Sequence, residues 1–261
     1  MNSSDLSSRD LSSCDVTKRD QLRILLLQIR DGEQVRMEEH QSFAEYCGVA
    51  LEQIEILNVF DTPDFPATAA DDFDALLVGG ASEANVLKPD QFPFIQACQD
   101  LIRHCGETAK PVFASCFGFQ LAVLALGGEV RHKDVDFEMG TIPVSLADGA
   151  VDDPLYQDTP EGFFAISVHR QYVDSLPENC QLLAYTAQCV HSFKLKGKPF
   201  WAFQFHPEVD KATLIERLTF YKAHYTDGDG QLDRVLSSAV ETPESNILVR
   251  KFVDRVLLNL G

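Results

Sequence analysis

A cysteine at the end of an apolar segment is the first residue in this sequence that could do covalent chemistry. Cys116 lies between strand-like and helix-like residues, and the small residues Ala114 and Gly118 stand two positions before and after it. This spacing is typical of a nucleophile elbow, in which a strained turn between a strand and a helix presents a reactive side chain. The pattern therefore predicts Cys116 as a nucleophile.

The neighbouring hydroxyl, Ser115, fits the elbow less well than the cysteine. Its partners two positions away are Phe113 and Phe117, which are too large for a tight turn. A helix beginning just after Cys116 would also favour the thiolate form through the positive end of its dipole. The alternative interpretation is a buried structural cysteine at a strand end.

A histidine and a glutamate separated by one proline could complete a catalytic set. A cysteine nucleophile needs a general base and a group that orients this base. His206 and Glu208 flank Pro207, and the period of an extended chain places both side chains on one side. We predict that His206 is the base and that Glu208 orients it, the alternative being a surface histidine at a strand end.

A glycine pair, Gly79 and Gly80, follows another apolar run. Glycines at the carboxyl end of a strand let a backbone N–H turn toward a ligand, and an oxyanion hole needs two such donors. The N–H groups of Gly80 and Phe117 are the candidates, and an ordinary Gly-Gly turn is the alternative.

Short apolar segments that alternate with amphipathic ones must position these residues. We predict buried strands over Arg23–Ile29, Ile54–Phe60, Ala75–Val78 and Pro111–Ser115. Helices are predicted over Gln34–Cys47, over Phe92–His104 and directly after the cysteine elbow. This order indicates an α/β fold with three layers, a doubly wound and mostly parallel sheet that binds ligands at the carboxyl ends of its strands.

The second half of the sequence predicts a small antiparallel extension of the sheet. The strand-like segments are Met139–Leu146, Gly162–Val168, Leu182–Thr186, Val190–Leu195 and Phe200–Phe205. Helices are predicted over Lys211–His224 and Ser245–Leu260. We therefore divide the chain into a disordered tail (residues 1–20), one domain (21–225) and a helical extension packed on it (226–261).

Charge and cysteine usage exclude several classes of function. The chain has 22 Lys and Arg against 40 Asp and Glu, a net charge of −18, so neither nucleic acid nor an anionic membrane surface is an expected partner. No signal peptide or membrane span is visible, which predicts a cytoplasmic protein with mostly reduced cysteines. There is no C-x-x-C pair, and the acidic stretch 134–161 lacks ligand spacing and is expected to be solvated. We predict no metal site and no cofactor.

Taken together in chain order, the glycine pair, the cysteine elbow with Gln120 and the Gln-Phe-His-Pro-Glu segment resemble the class I (triad) glutamine amidotransferases. The similarity extends from about residue 22 to residue 224. The resemblance is greatest to stand-alone proteins that are similar to the amidotransferase domain of GMP synthase. The resemblance implies a flavodoxin-like fold.

The resemblance also implies a mechanism and a set of substrate contacts. A thiolate of Cys116 would attack the side-chain amide of glutamine, His206 would protonate the leaving ammonia, and water would hydrolyse the γ-glutamyl thioester. The positions that correspond to substrate contacts in the family are Gly79, Gln120, Ser167, Val168 and His169. For Gln120 and His169, an ordinary structural role is an equal alternative.

The sequence departs from the family pattern in ways that keep alternatives open. Ala114 stands where the family usually has glycine, and Ala81 stands where it usually has proline after the glycine pair. No synthetase segment is present, so ammonia would need a separate synthetase subunit. The small-molecule substrate is accordingly either glutamine or a γ-glutamyl compound. The alternatives are a γ-glutamyl peptidase acting on small conjugates and a non-catalytic regulatory protein that kept the fold.

Overall fold

Five short strands form the parallel half of one nine-stranded sheet. The computed structural model describes residues 13–220 and 230–260. The parallel strands are β1 (Ile24–Gln28), β2 (Ile54–Asn58), β3 (Ala75–Val78), β4 (Val112–Ser115) and β11 (Phe200–Phe203), in the spatial order β2-β1-β3-β4-β11. The order of the first four is that of flavodoxin-like sheets, so the carboxyl ends of β1, β3, β4 and β11 meet at one edge.

Side chains that alternate along the strands build two separate cores. In β1, Leu25 and Leu27 face the helices α3 (Phe94–Thr108) and α4 (Phe117–Ala125). Ile24 and Leu26 face the opposite core, which includes residues of α2 (Glu33–Cys47). Helices thus cover both faces, which confirms the three-layer, doubly wound α/β class.

The predicted antiparallel extension is present and contains four of the nine strands, whereas Phe200–Phe203, which was predicted as part of it, pairs parallel with β4. It continues from β11 through β10 (Val190–Leu195), β9 (Cys180–Tyr185), β6 (Met139–Leu146) and β7 (Phe163–Val168). Two further strands, β5 (Arg131–His132) and β8 (Gln171–Tyr172), pair with each other and were not predicted. Strands of two residues are too short to give a periodic signal.

The last segments of the described chain are helical. Helix α5 covers Lys211–Phe220, and the remainder of the predicted helix, residues 221–224, lies outside the described residues. Helices at Gln231–Ser238 and Pro243–Lys251 follow, and the latter continues as a π-helix over Phe252–Leu257. None of the helices in residues 13–220 and 230–260 has the length and apolarity needed to cross a membrane.

Phe252 joins the C-terminal helical segment to the central sheet. Its ring centroid lies 5.5 Å from that of Phe113 in β4 and 6.1 Å from that of Trp201 in β11. Phe252 is fully buried, and Leu248 and Val249 lie in the same core. The C-terminal helix is therefore part of the packing that holds β4 and β11 in place.

We expect Phe252→Ala to lower the free energy of unfolding by about 3–5 kcal/mol, because it leaves a cavity between two rings. Urea denaturation followed by circular dichroism measures this loss. Ile247→Ala is the matched control, since Ile247 lies on the same helix and is 45% exposed. Equal unfolding midpoints for the two variants would contradict the packing role.

The prediction of a disordered tail is wrong for the part that the structure describes. Ser13–Asp20 form helix α1, and residues 1–12 lie outside the described residues. Arg19 is buried, donates to the carbonyl oxygen of Cys47 at 3.1 Å and forms an ion pair with Asp254. These contacts between distant residues hold α1 against the domain. The prediction rested on the amino-acid composition of residues 1–20, which carries no information about such contacts.

Candidate active site

The turn between β4 and α4 holds Cys116 in a strained conformation. Its φ is 51° and its ψ is −99°, a left-handed region that non-glycine residues rarely adopt. Its N–H donates to the carbonyl oxygen of Phe203 at 2.7 Å, which ties the turn to β11. Gly118 makes the elbow fit, because a Cβ there would lie 2.8 Å from the carbonyl oxygen of Val78. The strain is that of a nucleophile elbow.

His206 and Glu208 follow β11 and lie at the same edge of the sheet. Nδ1 of His206 is 2.7 Å from Oε1 of Glu208, and both residues are buried. The N–H of His206 donates to the carbonyl oxygen of Ile166 at 2.8 Å, which fixes the segment against β7. The side chain of His206 also interacts with that of Cys116. The structure thus brings Cys116, His206 and Glu208 together as predicted.

The electrostatics of this group favour a protonated imidazole. Burial alone would lower the pKa of His206, but the neighbouring charges of Cys116 and Glu208 raise it to about 9. Burial would likewise raise the pKa of Glu208, yet the charge and hydrogen bond of His206 hold it below its usual value. Since the charges of His206 and Glu208 stabilise each other, the arrangement can hold an imidazolium beside Cys116.

The glycine pair after β3 approaches the imidazole closely. A Cβ on Gly80 would lie 2.7 Å from Cε1 of His206, so only glycine fits there without a shift. The N–H of Gly118 donates to the carbonyl oxygen of Gly79 at 3.2 Å and joins the loop to the elbow. Phe117 begins α4, so its N–H has no acceptor within the helix. The two proposed oxyanion donors therefore belong to loops that contact each other.

A buried ion pair beneath the glycine loop was missed in the sequence. Nε of Arg30 donates to Oε1 of Glu39 at 2.9 Å, and both side chains are buried. A Cβ on Gly79 would lie 2.6 Å from the Glu39 carboxylate. Nη1 of Arg30 donates to Oγ of Ser82 at 2.9 Å. The pair supports the loop from below, and no local spacing connects its members.

A cavity of about 270 Å³ opens beside the nucleophile and is called the catalytic cavity below. Five of the positions singled out in the sequence line it: Cys116, Phe117, Gln120, Val168 and His169. The other two predicted substrate contacts, Ser167 and Gly79, are buried and do not line this cavity. The carbonyl oxygen of Val168 lies 4.0 Å from Sγ of Cys116.

A smaller cavity of about 40 Å³, called the second cavity, borders the imidazole of His206. It is lined by His206 and by two arginines, Arg30 and Arg217. Nη2 of Arg30 is buried without a hydrogen-bond partner among the residues that the structure describes. Val168, Ala81 and Ser82 line both cavities, so one wall separates them.

The acidic stretch expected to be solvated contains a buried carboxylate. Glu138 is 8% exposed, and its side chain contacts those of His169, Cys189 and His191. Four residues of metal-ligand type therefore meet where the sequence predicted no metal site. They come from three separate segments, so the spacing of neighbouring residues could not reveal them.

Known proteins resemble this chain in sequence and in fold. In sequence, the chain is 34% identical to a GMP synthase [glutamine-hydrolyzing] of Thermotoga petrophila over 43% of this chain and 21% of that protein. The chain therefore spans only about a fifth of the length of that relative. It is 26% identical to γ-glutamyl peptidase 4 of Arabidopsis thaliana over 84% of this chain and 86% of the peptidase.

A solved structure and a family model complete the comparison. The crystal structure of a glutamine amidotransferase from Thermotoga maritima superposes with a TM-score of 0.71 and 17% identity, covering 90% of this chain and 98% of that one. This similarity shows the fold. The model of the family "Glutamine amidotransferase class-I" matches residues 42–223, which is well over half of the sequence. The chain therefore belongs to the class I glutamine amidotransferase family.

Proposed function

We propose that this protein hydrolyses γ-glutamyl amides through a covalent thioester on Cys116. The observation that carries the proposal is the meeting of a strained cysteine with the buried, hydrogen-bonded pair of His206 and Glu208. A cysteine at positive φ beside an oriented histidine serves nucleophilic catalysis better than packing, because the strain has no structural benefit of its own.

The first half of the reaction forms the thioester. His206 takes the proton of Cys116, and the thiolate attacks the γ-carbonyl carbon, so that a C–S bond forms and the carbonyl becomes an oxyanion. The N–H groups of Gly80 and Phe117 stabilise that oxyanion. The C–N bond then breaks as the imidazolium of His206 donates its proton to the leaving amine.

The second half of the reaction releases glutamate. A water molecule transfers a proton to His206 and attacks the thioester carbon, and the C–S bond breaks to regenerate the thiolate. Glu208 holds the imidazole through Nδ1 at both stages. Gln120, Val168 and His169 line the catalytic cavity and are placed to contact the glutamyl part.

A second candidate function concerns the leaving group. The similarity to a γ-glutamyl peptidase extends over most of both chains, whereas that to the GMP synthase covers a fifth of the latter. The second cavity is lined by His206 and by Arg30, whose Nη2 is buried without a hydrogen-bond partner among the described residues. A guanidinium in that position favours a leaving amine that carries a carboxylate, as an amino acid does. This favours γ-glutamyl peptides over free glutamine.

The experiment compares three amides of glutamate that differ only in the leaving amine. The substrates are glutamine, γ-glutamylmethylamide and γ-glutamylglycine, and the readouts are the release of glutamate and of the amine. For a peptidase we expect kcat/KM for γ-glutamylglycine to exceed that for the methylamide by at least about tenfold. A hydrogen bond to the charged carboxylate, which only γ-glutamylglycine carries, contributes about this much. A preference for glutamine would support the glutaminase instead. If none of the three substrates releases glutamate, and a glutamine-analogue electrophile does not label the protein, the non-catalytic alternative is supported.

Partner and location follow from the same proposal. If glutamine is the preferred substrate, the ammonia serves a separate synthetase subunit, and a pull-down with the wild-type protein would retain such a subunit. If γ-glutamyl peptides are preferred, no acceptor is needed, because water completes the reaction. A cytoplasmic location suits either substrate class, since glutamine and small γ-glutamyl compounds are soluble metabolites.

A further inference from the structure

Four buried side chains of metal-ligand type converge beside the catalytic cavity. Glu138 precedes β6 and His169 follows β7, and the pairing of these strands places the two residues side by side, with the N–H of His169 donating to the carbonyl oxygen of Glu138 at 3.1 Å. Cys189 precedes β10 and His191 lies within it. All four residues are buried, and His191 is completely inaccessible.

The distances suit a shared central ion. Oε2 of Glu138 lies 2.7 Å from Nε2 of His191, 3.1 Å from Nε2 of His169 and 3.5 Å from Sγ of Cys189. The four donor atoms all lie within 4.8 Å of one another. Around a tetrahedral zinc ion, donor atoms are separated by roughly 3.3–3.8 Å, given bonds of about 2.0–2.3 Å. Movements of less than about 1 Å would therefore complete the site.

The hydrogen bonds of His169 point to a cation at this place. Its Nδ1 lies 2.8 Å from the carbonyl oxygen of Gln171, and a carbonyl can only accept, so Nδ1 carries the hydrogen. Nε2 then faces a carboxylate oxygen at 3.1 Å, a contact that either a second ring proton or a bound cation would satisfy. A metal ion between them would satisfy both, and the bond from Nδ1 to a carbonyl is the usual outer-shell contact of a metal-binding histidine.

The second histidine is oriented by packing. His191 has no hydrogen-bond partner at Nδ1 among the described residues. Its ring stacks on that of Phe205, with centroids 6.2 Å apart and an interplanar angle of 17°. This contact keeps Nε2 of His191 directed at Glu138.

We propose that Glu138, His169, Cys189 and His191 bind one zinc ion. Two imidazoles, one thiolate and one carboxylate form a mixed set that suits this borderline-soft metal better than Mg²⁺ or Ca²⁺, which prefer oxygen ligands alone. Four protein ligands leave no open position, so the ion is structural. A surface cavity lined by Glu138, His169 and Cys189 provides an entry path.

The site would stabilise one wall of the catalytic cavity. His169 lines that cavity, and the preceding residue, Val168, has its carbonyl oxygen 4.0 Å from Sγ of Cys116. An ion that fixes His169 would therefore also fix the backbone that faces the nucleophile. The proposal does not depend on the reaction, because metal binding is measured without any substrate.

The test uses metal content and the spectrum of bound cobalt. The full-length protein is stripped with a chelator, checked for folding by circular dichroism and titrated with Zn²⁺ or Co²⁺. We expect one equivalent of zinc, a higher melting temperature with zinc, and a thiolate-to-cobalt charge-transfer band. Cys189→Ser should abolish that band and weaken zinc binding by more than about 100-fold, beyond the usual loss for an outer-shell partner.

Cys180→Ser is the matched control, because Cys180 is also buried on the neighbouring strand β9 but lies outside the cluster. It should keep the cobalt band and the zinc affinity. The titration of the wild type decides the matter even if Cys189→Ser fails to fold. A folded wild-type protein that takes up no zinc, or binds cobalt without the thiolate band, would overturn the proposal and leave a hydrogen-bond network centred on Glu138.

Discussion

Replacement of Cys116 by alanine is expected to reduce the hydrolysis of γ-glutamyl amides by roughly 10⁶-fold, to the background rate. The loss of a nucleophile removes the covalent route as a whole, and triad members act as a unit, so the remaining groups cannot compensate. Release of glutamate from the preferred amide measures the loss. A glutamine-analogue electrophile should add one label to the wild type and none to Cys116→Ala, as read by mass spectrometry.

The fold of the variant is not expected to suffer. Alanine at position 116 retains the backbone bond to Phe203, so circular dichroism should match that of the wild type. Cys180→Ala is the matched control for a buried cysteine outside the site and should retain both activity and labelling. Substantial hydrolysis by Cys116→Ala would exclude a thioester on Cys116. Labelling of the wild type at another cysteine would show that Cys116 is not the nucleophile.

The parallel half of the sheet could be predicted because its signals are local. Four of its five strands are mostly apolar runs, with β2 interrupted by Glu55, and residue types typical of a turn follow two of them, at Gly79-Gly80 and at Cys116. The rule that such strand ends meet at one edge then places His206 near Cys116. All three members of the candidate triad could therefore be predicted from the sequence.

The buried polar groups could not be predicted, because they depend on contacts between distant segments. Arg30 and Glu39 look like ordinary charged residues in a sequence, and only the loop above them explains their burial. Glu138 lies in an acidic stretch, and its partners His169 and His191 are more than thirty residues away. Charged residues are expected at the surface, because burial of a charge is costly. Hydrogen bonds between strands offset that cost for Glu138.

The C-terminal segment illustrates a second limit. The spacing of its apolar residues predicted one helix over Ser245–Leu260, but the structure changes from an α-helix to a π-helix at Phe252. That change lies where the Phe252 ring enters the core beside Phe113 and Trp201. Periodicity identifies the buried face, whereas the local winding depends on what that face packs against.

The alkaline limb of the pH profile should distinguish the roles of His206 and Glu208. The pKa of His206 is raised to about 9, so the imidazolium that protonates the leaving amine is present below that pH and is lost above it. We expect kcat/KM of the wild type to fall as the pH rises through about 9. His206→Ala should lose roughly 10²–10⁴-fold in activity through loss of proton transfer, and its residual rate should lack this limb.

Glu208→Gln should shift the limb without abolishing the reaction. The charge of Glu208 raises the pKa of His206, so removing it lowers that pKa, and the alkaline limb should move to lower pH by roughly 1–3 units. The amide can still contact Nδ1, so this variant should retain more activity than His206→Ala. His104→Ala, a change to a half-buried histidine of α3, should leave the profile unchanged. Equal losses in both site variants, or an unmoved limb in Glu208→Gln, would show that Glu208 does not act through His206.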